Sequence, residues 1–143
     1  MTKTFDAKVE MVIHAPAARV WDVLTRPELV REYMHGTTVE SDWKVGSPIR
    51  WSGEWQGKSY EDKGVILALE PRKKLSYTHW SSMGGSADKP ENYHTVTFTL
   101  AEKNGETALA LKQSNNPSRE AADQMAQNNW KPMLEALKGV AEK

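Results

Sequence analysis

Ala15-Pro16-Ala17-Ala18-Arg19-Val20-Trp21-Asp22-Val23-Leu24-Thr25-Arg26-Pro27-Glu28-Leu29 contains two helix starts in close succession. Pro16 ends the segment before it and suits the first turn of a helix, where its fixed φ fits and its missing N–H is not needed. That helix runs through Thr25. Thr25-Arg26-Pro27-Glu28 then has capping-box spacing, with Pro27 at the first helical position. A second short helix to about Met34 is the expectation.

Working outward, residues 7–14 place Val9, Met11 and Ile13 on one face and Lys8, Glu10 and His14 on the other, the period of a strand. From residue 37 to 115 the pattern is strand and turn. Ile49, Trp51 and Trp55 alternate with Arg50 and Glu54, and a strand from about Tyr60 to Leu69 stops at Glu70-Pro71. Leu75, Tyr77 and His79 alternate with Ser76, Thr78 and Trp80, and Val96, Phe98 and Leu100 with Thr95, Thr97 and Thr99. Asn104-Gly105 is a strong hairpin signal, because both central residues of a type I′ turn need positive φ. Ser81 to Glu91 reads as the least structured loop, with Gly84-Gly85 as a lid beside a cavity mouth and Met83 as its apolar contact. Asn116-Pro117-Ser118 caps a last helix of about 24 residues whose apolar positions recur at three- and four-residue spacing. Pro132 inside it predicts a lost backbone bond and a kink near Asn128 to Trp130. The order is therefore β, α, α, five or six β and one long α. An antiparallel sheet with one apolar face needs a cover, and only the last helix is long enough.

Composition narrows the possibilities. The 143 residues carry 19 Lys+Arg against 19 Asp+Glu and no cysteine. Thiol catalysis, cysteine-bound zinc and iron–sulfur sites are excluded. Balanced charge without a basic face argues against nucleic acid as a partner. The longest apolar run, Val65 to Leu69, is far short of the roughly 20 residues a membrane span needs, and no signal-like stretch opens the sequence. A cytoplasmic protein, one domain over residues 1–143, is expected. Leu, Val, Ile and Phe together number only 25, while six Trp, four Tyr and six Met supply bulk in their place.

This order of elements, with Ala15 to Leu29, closely resembles the START-like (SRPBCC) helix-grip superfamily. Within it the chain looks like the family named after the C-terminal domain of the activator of the heat-shock-protein-90 ATPase. Gly64 to Pro71, Leu75 to Trp80 and Asn129 to Lys138 also match. The resemblance implies an α+β helix-grip fold: a curved antiparallel sheet of six to seven strands around a long C-terminal helix, with two short helices after the first strand. It implies a cavity between sheet and helix that in many relatives holds an apolar small molecule. Tyr33-Met34 stands where relatives commonly carry tryptophan, at the cavity mouth.

The residues expected to line that cavity are Trp51, Trp55, Tyr77, Met125, Trp130 and Met133, large rings and adaptable thioethers suited to a mostly apolar site. His79 and His94 share the inward face. With the hairpin centred near Ser86 and Ala87 they lie opposite each other, placed to contact a ligand or to act as acid and base. Two imidazoles with no third ligand do not make a zinc site. Glu54, Glu61, Asp62 and Arg50 read as a solvated strand edge, since nothing in their spacing converges on the histidines. No cofactor or nucleophile motif is present. The leading expectation is binding of a hydrophobic small molecule. The alternatives are a cyclase- or hydrolase-like enzyme using His79 or His94, and a co-chaperone that stimulates a chaperone ATPase. A monomer or a homodimer fits equally.

Overall fold

The structure, a computed structural model, describes residues 5–34, 36–55, 57–81 and 87–143. Seven strands form one antiparallel sheet: β1 (Phe5–Ile13), β2 (Thr38–Ser41), β3 (Pro48–Trp55), β4 (Lys58–Glu70), β5 (Lys74–Ser81), β6 (His94–Lys103) and β7 (Glu106–Asn116). Their order is β1-β7-β6-β5-β4-β3-β2, so β1 returns to the edge beside the last strand. Asn104 and Gly105 turn β6 into β7 at φ 55° and 80°, as an Asn-Gly hairpin requires. The apolar run of β4 is split by the pleat, with Ile66 buried and Val65 and Leu67 on the outer face. Among the described residues no helix is long and apolar enough to cross a membrane.

The short helices α1 (Ala17–Thr25) and α2 (Pro27–Tyr33) follow β1. The capping box expected at Thr25 does not form. Thr25 stays in the last turn of α1, where its hydroxyl donates to the Trp21 carbonyl at 2.8 Å. Arg26, extended at φ −85° and ψ 123°, precedes α2 without a side-chain cap, and Pro27 alone sets the helix start. The start of α1 is held from a distance: the Ala17 N–H donates to Glu102 Oε1 at 2.7 Å. A carboxylate at a helix start is the favourable sign of charge there. Val20, Val23 and Leu24 then bury the inner face of α1.

The last helix starts as its sequence indicates, with Ser118 Oγ accepting from the Ala121 N–H at 3.0 Å. It is not one regular helix. α3 (Arg119–Met125) passes into a wide π turn, Ala126–Trp130, and then into α4 (Lys131–Ala141). The Lys131 N–H reaches back to the Ala126 carbonyl, five residues away. Pro132, one residue on, has no N–H to give, so widening the turn absorbs the defect that the sequence located near Asn128 to Trp130. Leu134 and Leu137 in α4 are fully buried, and Arg19 Nη2 donates to the Val140 carbonyl at 3.1 Å, closing the helix end onto α1.

Gly64 sets a tight spot in the curved sheet: a Cβ there would lie 1.6 Å from the Thr78 carbonyl oxygen. Gly64→Ala must therefore push β4 from β5, and a loss of about 2 kcal/mol or more is expected in denaturant unfolding. Gly139, on exposed helix with nothing within 4 Å, is the contrast. There Gly139→Ala is expected to gain about 0.5–1 kcal/mol.

Candidate functional site

A cavity of about 470 Å³ lies between the concave face of the sheet, the two short helices and the middle of the last helix. Its walls come from inward positions of successive strands, as the period of two dictates. Trp51, Tyr77, His79, His94, Met125, Trp130 and Met133 all line it. The side chain of Trp55 lies outside the described residues, as do Met83, Gly84 and Gly85. The rings touch in a chain. Trp130 meets Phe98 edge-on at 6.4 Å between centroids, Phe98 meets Tyr77 at 6.3 Å, Tyr77 meets Trp51 at 4.8 Å and Trp51 meets His79 at 5.2 Å. Edge-to-face and tilted contacts of this kind stabilise beyond the area they bury. Stiff rings locked to one another do not fold inward to fill the space they surround.

A polar row crosses the floor of the sheet. His79 on β5 and His94 on β6 are direct cross-strand partners, in the register the sequence suggested. Their rings nevertheless turn to different neighbours. His79 Nε2 lies 3.1 Å from Asp62 Oδ2 on β4, and His94 Nδ1 lies 2.8 Å from the Ser114 carbonyl oxygen on β7. A carboxylate and a carbonyl only accept, so each of these nitrogens carries the proton. In their neutral forms the two imidazoles are thus opposite tautomers, with Nδ1 as the free nitrogen of His79 and Nε2 that of His94.

Asp62 overturns its assignment to a solvated edge. Its side chain is 20% exposed and it lines the cavity, because Asp62, Gly64 and Ile66 share the inward face of β4. Glu54, Glu61 and Arg50 remain on the exposed side. Gln113 on β7, 3% exposed, is a further lining residue that the sequence did not single out. Asp62 Oδ1, His79 Nδ1, Gln113 Oε1, Trp80 Nε1 and Trp130 Nε1 are buried without a hydrogen-bond partner. Among the described residues no group of three His, Asp or Glu side chains could hold a metal ion.

Two phenols complete the polar inventory. Tyr33 from α2 and Tyr77 from β5 are 6% and 7% exposed, and both line the cavity. Burial pushes the Tyr33 hydroxyl far above the ordinary phenol range. Tyr77 is pushed up by burial first, then by the nearby Tyr33 and the Asp62 carboxylate. Both therefore stay O–H donors at any physiological pH.

At the rim, Trp80 stacks on Tyr93 at 6.4 Å, with Lys63 Nζ 5.7 Å from the Trp80 ring centre. Its place on the cavity wall departs from the alternation that set it with the outward Thr78. Asp88 accepts from Lys63 at 2.5 Å and from the Tyr93 hydroxyl at 2.5 Å. The Lys63 bond first, and then that of Tyr93, holds the Asp88 carboxyl below its usual range.

The buried phenols give a pH prediction. A group whose pKa is raised on folding stabilises fully below its unfolded pKa, about 10 for tyrosine, and that stability is lost as pH climbs above it. Of the four tyrosines, Tyr33 and Tyr77 are expected to stay silent in a 295 nm absorbance titration until the protein unfolds. Their early, reversible ionisation with the fold intact would contradict this environment.

Comparison with known proteins fits this geometry. A solved structure of ChR145 from Cytophaga hutchinsonii is similar at 48% identity and TM-score 0.82, over 96% of this chain and 93% of that one. The protein MLL2253 from Mesorhizobium loti is similar at 28% identity and TM-score 0.73, over 96% of each chain. Ara h 8.0201 shares the fold alone, at 14% identity and TM-score 0.74 over 97% of this chain and 98% of its own. No curated protein matches the chain. The fold is the START-like helix grip. The family described as Activator of Hsp90 ATPase homolog 1-like protein matches residues 14–142, and the chain belongs to that family.

Proposed function

We propose that the protein binds an apolar or aromatic small molecule in the cavity between sheet and last helix. The observation that carries this is the ring-walled space of about 470 Å³, within the range of about 300–1,000 Å³ typical of small-molecule sites. Its supports are mutually braced Trp51, Tyr77, Phe98 and Trp130, with Met125 and Met133 as adjustable contacts on the helix side. A formal net charge of zero leaves shape and apolar contact as the main source of affinity. Each CH₂-sized group moved from water into such a site contributes about 0.8 kcal/mol. The co-chaperone alternative has support in the family description alone, whereas ligand binding is supported by the geometry of this chain.

The test is a fluorescence titration with N-phenyl-1-naphthylamine, a neutral two-ring probe. Saturable enhancement at one equivalent is expected. Met133→Trp, which puts a ring into the space, is expected to weaken binding at least about tenfold, or 1.4 kcal/mol, with the fold unchanged by circular dichroism. Non-saturating enhancement, equal in both proteins, would reject the cavity as the site.

A further inference from the structure

The two histidines are not equivalent, and the difference points to chemistry. His79 has one ring nitrogen on Asp62 and the other buried and sealed. His94 donates through Nδ1 to the Ser114 carbonyl, which holds the ring and leaves the Nε2 lone pair unpaired on a half-buried residue of the cavity wall. A backbone acceptor that fixes the tautomer of an imidazole is how a general base is oriented. Tyr77 pairs with Val96, and His79 with His94, so Tyr77 and His94 are diagonal neighbours on one face. Such neighbours have backbones about 7–8 Å apart. Tyr33 and Tyr77 line the same cavity as His94, and each phenol is an O–H donor. An oxygen on a bound molecule could accept from both hydroxyls in place of water.

We propose that the cavity is a proton-transfer site for an aryl ketone: His94 Nε2 takes a proton from the carbon beside the carbonyl, and Tyr33 and Tyr77 hydrogen-bond the carbonyl oxygen. This rests on the cavity binding a ring-bearing molecule. In the forward step the C–H bond breaks, its electron pair forms a carbon–carbon double bond, and the carbonyl π pair moves onto oxygen. The proton resides on Nε2 and returns to carbon, or to solvent in exchange, so no oxidant, reductant or co-reactant is consumed. The phenols meet charge where it develops, in a cavity lined largely by rings. His79, one strand away, pairs with Asp62 on the strand beyond it, and both are positioning residues for the floor on which His94 sits.

The probe is 1-tetralone, a neutral aryl ketone on a two-ring frame, in D₂O buffer with loss of its α-CH₂ signal followed by proton NMR. The protein is expected to accelerate exchange saturably, and excess naphthalene to suppress it. His94→Gln, whose amide can still donate to the Ser114 carbonyl, is expected to lower the saturable rate by about 10²-fold or more. Tyr77→Phe is expected to lower it by about 10²-fold. Tetralone binding, read by tryptophan fluorescence, is expected to persist in both variants. Binding without accelerated exchange, or an undiminished rate in His94→Gln, would overturn the proposal and leave ligand binding standing. A loss of exchange in His79→Gln but not in His94→Gln would overturn the choice of base. No binding of tetralone or of the naphthylamine probe would remove both conclusions together.

Discussion

The structure depends on a chain of ring contacts that crosses from the last helix to the sheet: Trp130 to Phe98 to Tyr77 to Trp51, ending on His79. Each link is modest, about 0.5–1.5 kcal/mol beyond burial. Their consequence is architectural. Rings braced against one another hold the curved sheet and the helix at a fixed separation, whereas aliphatic side chains of equal area repack into the gap. Aliphatic side chains complete the wall, with Leu24, Val39, Ile49 and Leu75 also lining the cavity. The π turn contributes from the other side, since the widened backbone at Ala126–Trp130 accompanies the helix past Pro132 where Trp130 enters the core.

Against this apolar frame the polar groups are few and ordered by the pleat. Asp62, His79 and His94 fall on adjacent strands β4, β5 and β6, each turned inward by the period of two. Their hydrogen bonds differ in kind. The His79–Asp62 pair leaves His79 Nδ1 and Asp62 Oδ1 buried without partners, while the bond of His94 to a backbone carbonyl leaves the second nitrogen of a half-buried, cavity-lining ring unengaged. Tyr33 and Tyr77 remain protonated because burial penalises the phenolate. The site therefore combines a lone pair, two fixed donors and apolar walls, the components of a selective small-molecule cavity.

Much of this was legible in the sequence, for local reasons. Alternation assigned the inward faces of β5 and β6 apart from Trp80, Asn104-Gly105 fixed one hairpin, Ser118 marked a helix start and Pro132 located the irregular turn. The pairing of His79 with His94 was conditional on a hairpin centred near Ser86 and Ala87, which the long loop between the strands does not fix, and the register of β5 and β6 supplies it. Other features depend on long-range geometry. Asp62 looked like edge polarity because its distance from His79 is set by the β4–β5 register, which shifts at an irregularity between Ile66 and Ala68. The start of α1 is held by Glu102, 85 residues away, a partner that no local motif reveals. Thr25 had capping-box spacing, yet the end of α1 claims its hydroxyl first. The tautomer of His94 depends on Ser114, which the hairpin brings to it from the next strand.

Family membership and cavity chemistry answer different questions. The match over residues 14–142 establishes kinship and fold, while what the chain binds follows from its own ring chain and polar row. The claim on which the account turns is that the hollow is a site for a small molecule. Native mass spectrometry of protein purified from its own host tests it most directly. A reproducible excess mass, lost on gentle activation and absent from a Met133→Trp variant purified the same way, is the expected result. Protein that is consistently free of bound mass, and that stays so after incubation with neutral aromatic compounds, would contradict it.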